Sequence, residues 1–221
     1  MNSIIRRETG WIVSDGFVHA CCRYLGVKSK AKHCQKRKTG TEHTVYKNEV
    51  RGNWNATKPM EIVVSDMTCL YHKGKRLEWT YMLDTFHHEI LCSHVSWKEN
   101  DPKPYYRCLQ DLLKKMKEQT APLVLHTDQG AVYSSKAFSE AHKDYNIIRS
   151  MSRSATPTDN PIIEAHNGWM NEELCLDFKF KQCEDPELLI KEYVQYFNHE
   201  RPAYALKYKT PVEFRLEQGF R

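Results

Sequence analysis

The chain has 221 residues, enough for one main domain with a core of its own and a small appendage. Hydrophobic residues make up 40%, aromatic residues 11% and charged residues 28%, which excludes disordered, collagen-like and mucin-like chains. The formal net charge of +5 is modest, so what bears on partners is where the charge lies.

In chain order, the opening MNSIIRRETGW has no apolar signal stretch, and no later run reaches about 18 apolar residues, so the reading is a cytoplasmic protein without a membrane segment. The eight cysteines include no Cys-x-x-Cys pair, which argues against a zinc finger; His19, His33 and Cys34 are a weak metal set beside the ordinary structural reading. Phe17, Val18, Cys21, Tyr24 and Leu25 follow helical spacing within a segment reaching toward Lys32, with Ser14 and Asp15 as caps and Gly26 as terminator.

Between Arg23 and Arg51 lie Lys28, Lys30, Lys32, Lys36, Arg37, Lys38 and Lys47 against only Glu42 and Glu49. That is the footprint of a phosphate-contacting segment, with Lys36, Arg37 and Lys38 as DNA-binding candidates; a solvated linker is the plainer alternative. Residues 33 to 56 show no sustained period and read as a basic, loop-rich connector, which puts a boundary near Pro59. The expected organisation is a basic N-terminal segment at 1–57, a core at 58–216 and a tail at 217–221.

Three β-favouring runs follow, at 61–70, 76–86 and 89–97, joined by His72-Lys73-Gly74-Lys75 and by His87-His88, and they predict an antiparallel meander. Tyr105, Leu109, Leu112, Leu113 and Met116 predict an amphipathic helix ending before Pro122. A strand at 123–127, a helix capped by Ser134 or Ser135, and a strand at 147–151 come next. A polar loop, SRSATPTDN, leads to a helix that opens at Pro161 and runs toward Phe178, and a final helix spans about 187–199. The order predicts an α/β fold: a ribonuclease-H-like mixed five-stranded sheet flanked by helices, with a short basic helical N-terminal appendage.

Three carboxylates stand out in that topology. Asp66 lies inside the first strand, Asp128 just past the fourth, and Glu164 in the first turn of the helix after the polar loop. Adjacent first and fourth strands would bring them together at one edge. Singly, each has a dull reading as a turn, cap or strand-end residue. Together they suit two hard cations, Mg²⁺ or Mn²⁺, of the kind that cleave and transfer phosphodiesters. Asn160 is the expected cap of the Glu164 helix, in a supporting role. Arg201, Lys207 and Lys209 combine with Tyr208 as DNA-contact candidates, against the alternative of ordinary surface charge. Trp169 and Met170 read as core, and His126 as a satisfied strand histidine.

VVSDMT around Asp66, HTDQGAVY around Asp128 and SRSATPTDNPIIE ending at Glu164 resemble the DDE transposases, with 35 residues between the last two carboxylates. YFNHERPAYALKYKTPVEF resembles the tail pattern of the integrase-core transposases of the bacterial insertion-sequence-3 family. The resemblance covers roughly 58–216 and implies catalysis and metal binding by Asp66, Asp128 and Glu164, two Mg²⁺ ions that Mn²⁺ can replace, and strand cleavage and transfer. It also implies terminal inverted repeats and target DNA as substrates, a homo-oligomer on DNA, an upstream helix-turn-helix product as partner, and a nucleoid-associated location. Three departures stand against it. Asn171 falls where the family usually has Lys, Ala165 where it usually has Ser, and a longer recognition region is usual upstream. They keep open a truncated, catalytically inactive DNA-binding remnant; a ribonuclease H or other nuclease on the same scaffold is the third reading.

Overall fold

A computed structural model describes residues 2–27, 44–154 and 156–220. The basic triplet Lys36, Arg37 and Lys38 lies outside the described residues. The chain divides into two compact units.

The first unit holds α1 (Asn2–Thr9) and α2 (Asp15–Tyr24). Ser14 caps α2 by accepting from the Phe17 N–H, and Gly26, at φ +66°, follows the helix end as expected. The helix therefore stops well short of Lys32. The sequence reading also passed over α1, whose first turn has no acidic residue to announce it.

In the second unit the sheet comprises β1 (Ile62–His72), β2 (Lys75–Asp84), β3 (Ile90–Ser96), β4 (Leu123–Thr127) and β5 (Ile147–Met151), in the order β3-β2-β1-β4-β5. β1, β2 and β3 form the expected antiparallel meander, while β4 and β5 run parallel to β1. Lys73 and Gly74, both at positive φ, make the two-residue turn between β1 and β2. α3 (Lys103–Lys115) and α4 (Lys136–Glu140) cover one face, with Met82, Leu109, Leu112, Leu125 and Phe138 in the core between. α5 (Pro161–Leu176) and α6 (Pro186–His199) cover the other, over Trp79, Tyr81, Met170, Leu174 and Tyr193. With both faces covered, β2 is buried from Leu77 to Asp84 and shows no in-out alternation. Among the described residues, no helix is long and apolar enough to cross a membrane.

Two features depart from the expected outline. The part of the connector from Thr44 onward is stitched to the core: Thr44 N–H donates to the Ser134 carbonyl, Met151 N–H to the Lys47 carbonyl, and Glu49 N–H to Ser150 Oγ. It covers the outer edge of β5, an edge that would otherwise invite another strand. A further helix, α7 (Pro211–Glu217), follows α6, so the 187–199 helix is not the last. Its capping box of Thr210 and Glu213, with Pro211 at the first helical position, is readable in the sequence once residues 210–213 are treated as a helix start.

α7 is tied to the β2–β3 turn through a buried charged cluster. Arg215 Nε donates to Glu89 Oε2 at 3.0 Å, and the same oxygen lies 2.9 Å from His87 Nε2. His87 Nδ1 is 3.2 Å from Asp84 Oδ1, and neither side chain is exposed. Burial pulls the imidazole pKa down, but the two flanking carboxylates outweigh it and hold the group above its ordinary 6.5. A raised histidine stabilises fully below that ordinary value, and the contribution is lost as pH rises through the folded value. The thermal midpoint of the wild type should therefore fall about 2 to 4 °C more than that of His87→Gln between mildly acidic and alkaline pH. Parallel melting curves for the two proteins across that range would disprove the coupling.

Candidate active site

The register explains how the three acids come to share one cleft. In the parallel pairing of β1 with β4, Ser65 lies opposite Thr127. Asp66 is the next residue along β1 and Asp128 the first residue past β4, so both stand just beyond the end of that pairing. Across the antiparallel pair Asp66 lies opposite Tyr81, and directly opposed residues point to one face. Tyr81 belongs to the core beneath α5, so Asp66 also faces α5. That helix supplies Glu164 from its first turn. A hollow of about 230 Å³ is lined by all three carboxylates together with Ser152, Arg153 and Thr156. A second, of about 300 Å³, opens on the other side of Asp66 and Asp128, toward Tyr105 and Tyr133.

Each carboxylate is held differently. Asp66 is half-buried, and its Oδ2 accepts from Asn167 Nδ2 at 2.8 Å. Asn167 Oδ1 in turn accepts from the buried Tyr81 hydroxyl at 2.7 Å. Desolvation, reinforced by the negative charges of Asp128 and Glu164, pushes the Asp66 pKa up to about 6 against the hydrogen bonds that oppose it. Asp128 is exposed as a whole residue, but its carboxyl group is turned onto the chain, where Oδ1 accepts from the Gly130 N–H at 2.9 Å. Desolvation of that group holds it above the usual carboxylate range. Glu164 is exposed, and its N–H donates to the Asn160 carbonyl at 3.3 Å. Among the described residues, no three Asp, Glu, His or Cys side chains are gathered tightly enough to grip one ion. The acids line the cleft rather than converging on a point.

The loop that delivers Glu164 is braced by Arg153, which binds Asp159 through Nε and Nη2, both at 2.9 Å. That pairing holds the Asp159 carboxyl well below the usual range. Asn160 occupies the position before α5 as expected, but its side chain makes no cap bond, and its Oδ1 is buried without a partner among the described residues. The cause is local. Its ψ of 57° departs from the 94° to 159° of Ser14, Ser135, Asp185 and Thr210, whose side chains all cap their helices.

The expected DNA-contact cations separate. Arg201 lies 4.1 Å over the Trp169 ring and is paired through Nη2 with Glu173 at 2.6 Å, so its charge is already engaged inside the fold. Lys209 pairs with Glu217. Lys207 is exposed, at φ 57°, next to Tyr208, itself 71% exposed. Met170 is core and Trp169 stacks on Phe197, as the sequence suggested. His126 is buried, with its ring nitrogens 2.8 and 2.9 Å from the hydroxyls of Ser150 and Ser152. Asn171 does not project from the cleft wall; its Nδ2 donates to Thr68 Oγ1 on β1.

Asn167, Tyr81 and Gly130 were missing from the sequence reading. Asn167 had a signal, since it stands three residues after Glu164 and therefore on the same helical face. Tyr81 and Gly130 had none before the strand register and the Asp128 rotamer were known.

Residues 56–157 match the family described as Integrase core domain, and residues 164–218 match a second family of the same description. The putative transposase InsK for insertion sequence element IS150 of Escherichia coli (strain K12) is 28% identical over 172 residues, covering 76% of this chain and 59% of that protein. The chain thus spans somewhat more than half the length of that relative. An uncharacterized transposase-like protein of Haemophilus influenzae is 27% identical, covering 90% of this chain and 92% of its own length. Among solved structures, the HTLV-2 integrase catalytic core domain in complex with magnesium (trimeric form) superposes with a TM-score of 0.56 at 19% identity, covering 73% of this chain and 99% of that one. At that identity the likeness speaks for the fold, and it bears out the ribonuclease-H-like expectation.

Proposed function

We propose that this chain, whose residues 56–157 and 164–218 match integrase core families, is the catalytic part of a DDE transposase of an insertion sequence, of the insertion-sequence-3 kind, acting on terminal inverted repeats and target DNA. The observation that carries this reading is the single cleft lined by Asp66, Asp128 and Glu164 from three separate elements.

The donor set suits hard divalent cations. Carboxylate oxygens face the cleft, and the raised proton affinity of Asp66 is what mutually repelling, partly desolvated acids show without a counter-charge. Asp66, Asp128 and Glu164 would hold two Mg²⁺ ions, with Mn²⁺ able to substitute; Mg²⁺ keeps water and substrate phosphate in its shell, so three carboxylates suffice for a pair. Such a pair supplies an activated oxygen nucleophile and stabilises the leaving oxygen of an in-line displacement.

The protein's own part is placement. Asn167, steadied by Tyr81, fixes one Asp66 oxygen; the Gly130 N–H fixes one Asp128 oxygen; the Arg153–Asp159 pair holds the loop before Glu164. Ser152 lines the cleft beside His126, but the other nitrogen of that ring meets Ser150 Oγ instead of an acid. A serine nucleophile would therefore lack its orienting carboxylate. Burial also drives the His126 pKa down to about 4, which suits a structural role.

Lys207 is the cation of the tail turn best placed for DNA, while Arg201 and Lys209 serve the fold. Lys36, Arg37 and Lys38 remain proposed contacts upstream. With Asn171 engaged on β1, element ends would be recognised elsewhere than at that position. A homo-oligomer on DNA, an upstream helix-turn-helix product and a nucleoid-associated location belong to the same proposal.

The test is strand cleavage by the purified chain on a terminal-repeat duplex, a scrambled duplex and an RNA–DNA hybrid in Mg²⁺. The expected result is nicking of the repeat duplex at least about 10-fold faster than of the other two, abolished in Glu164→Gln. Preference for the hybrid would overturn the transposase reading in favour of a ribonuclease. Repeat binding without metal-dependent nicking would favour the inactive remnant.

A further inference from the structure

Arg149 carries a charge that the fold buries without an acid beside it. It sits on β5 opposite Leu125 and is 7% exposed. Its guanidinium lies between the rings of Tyr46 and Phe138, with Cζ 5.0 Å from each centroid. Nη2 donates to Thr127 Oγ1 at 3.3 Å and to the Tyr133 carbonyl at 3.2 Å, while Nε and Nη1 are buried with no partner among the described residues. Burial pulls its pKa down to about 10.

A cation in such a setting is costly, and an apolar side chain of similar length would fill the space at less expense. Packing alone therefore does not account for it, and the two hydrogen bonds it does make indicate what it supplies. Thr127 immediately precedes Asp128, and Tyr133 stands at the far end of the turn that follows. Thr127 Oγ1 passes the contact on by donating to the Asp128 carbonyl at 3.0 Å. Within the turn, the Ser134 N–H and hydroxyl both donate to the Gly130 carbonyl, and the Gly130 N–H holds the Asp128 carboxylate.

Resting on the reading of Asp128 as a cation ligand, we propose that Arg149 is a positioning residue for Asp128, clamping both ends of the 127–133 turn, with Tyr46 as the cover that completes the clamp. The planar fork suits this task, because one guanidinium nitrogen reaches two acceptors while the ring stacking keeps the plane from rotating. Tyr46 is itself anchored, its hydroxyl 2.8 Å from Ser139 Oγ and the next residue's carbonyl accepting from Met151 N–H. The site is thus finished by a residue upstream of the strands that form the sheet. Residues that orient a metal ligand from behind typically change metal affinity or activity by about 10- to 100-fold when removed.

The test uses the full chain with Arg149→Met, Arg149→Lys and Thr127→Val. Two quantities are measured: amide hydrogen exchange across residues 128–135 without metal, and the rise in melting temperature on titrating Mg²⁺. Arg149→Met is expected to melt at or above the wild-type temperature, yet to exchange about 10-fold faster in the turn and to need about 10-fold more Mg²⁺ for the same rise. Arg149→Lys, which keeps the charge but not the fork, should not restore either property. Thr127→Val, which removes the hydroxyl that accepts from Arg149 and donates to the Asp128 carbonyl, should shift both in the same direction by less, and it decides the matter alone if Arg149→Met does not fold. Wild-type exchange together with a wild-type Mg²⁺ response in the variants would overturn the clamp. A wild type that shows no Mg²⁺ response would sink the metal reading, leaving the exchange rates to decide the clamp separately.

Discussion

Asp66→Asn is expected to lower Mg²⁺-dependent strand cleavage by about 10³-fold or more while leaving the metal-free protein more stable than the wild type. The loss follows from position: Asp66 feels the negative charge of both other acids and, with Asp128, lines both hollows of the site. A factor of that size corresponds to about 4 kcal/mol of lost transition-state stabilisation. An amide keeps the shape, and by turning its oxygen toward Asn167 it also keeps the 2.8 Å hydrogen bond, so the fold has no reason to suffer.

The gain in stability comes from the same desolvation. Asp66 titrates near 3.8 in the unfolded chain and at about 6 in the folded one. Below the lower value both states hold the proton and the group contributes nothing. As pH rises through the window between the two values the unfolded chain gives up its proton first, and above the upper value the folded state bears the whole penalty. The wild type without metal should therefore lose stability across that window, by about 2 kcal/mol once solvent access is allowed for, and Asp66→Asn should not. Chemical denaturation of both proteins at the two ends of the window, with and without Mg²⁺, measures each part. Cleavage by Asp66→Asn at the wild-type rate, or a metal-free variant no more stable than the wild type at neutral pH, would contradict the account.

The strands were the most legible part of the chain because each is a short apolar run between turn residues, and His72-Lys73-Gly74-Lys75 marks the first hairpin plainly. The parallel pairing of β1 with β4 could be argued only from element order, and it is that pairing which makes neighbours of Asp66 and Asp128. Residues 44–56 misled for a physical reason. Their polar, aperiodic sequence reads as connector, yet the backbone of Thr44, Lys47 and Glu49 bonds to Ser134 and to the edge of β5, a destination no local pattern reveals. Arg201 misled in another way, since cation-rich tail segments suggest phosphate, and only the packing shows Glu173 and Trp169 already holding the guanidinium. The three candidate acids were legible through resemblance and order; of the groups proposed to aim them, Asn167 had the signal of a shared helical face, while Gly130 and Arg149 depend on register and rotamer.

Gly130→Ala isolates aiming from ligation, because it alters none of the acids. Gly130 is absent from the positive-φ positions, so alanine meets no backbone penalty there. What a Cβ would meet is the carboxylate of Asp128, 2.8 Å from Oδ1 and 3.4 Å from Oδ2. The near atom is the free end of a side chain, so the clash is relieved by rotating the carboxylate away, which costs the fold little. That rotation breaks the hydrogen bond from the Gly130 N–H and moves one of the cleft's acids by about an ångström, enough to lower turnover by about 10²-fold. The expected outcome is a variant that melts within about 2 °C of the wild type, binds repeat DNA normally and cleaves it about 10²-fold more slowly. Higher Mg²⁺ should recover part of the rate if the displaced carboxylate still reaches its ion. A fully active Gly130→Ala protein would mean that the orientation of Asp128 over Gly130 is not the one used in cleavage, and the site would have to be rebuilt around a different rotamer of that residue.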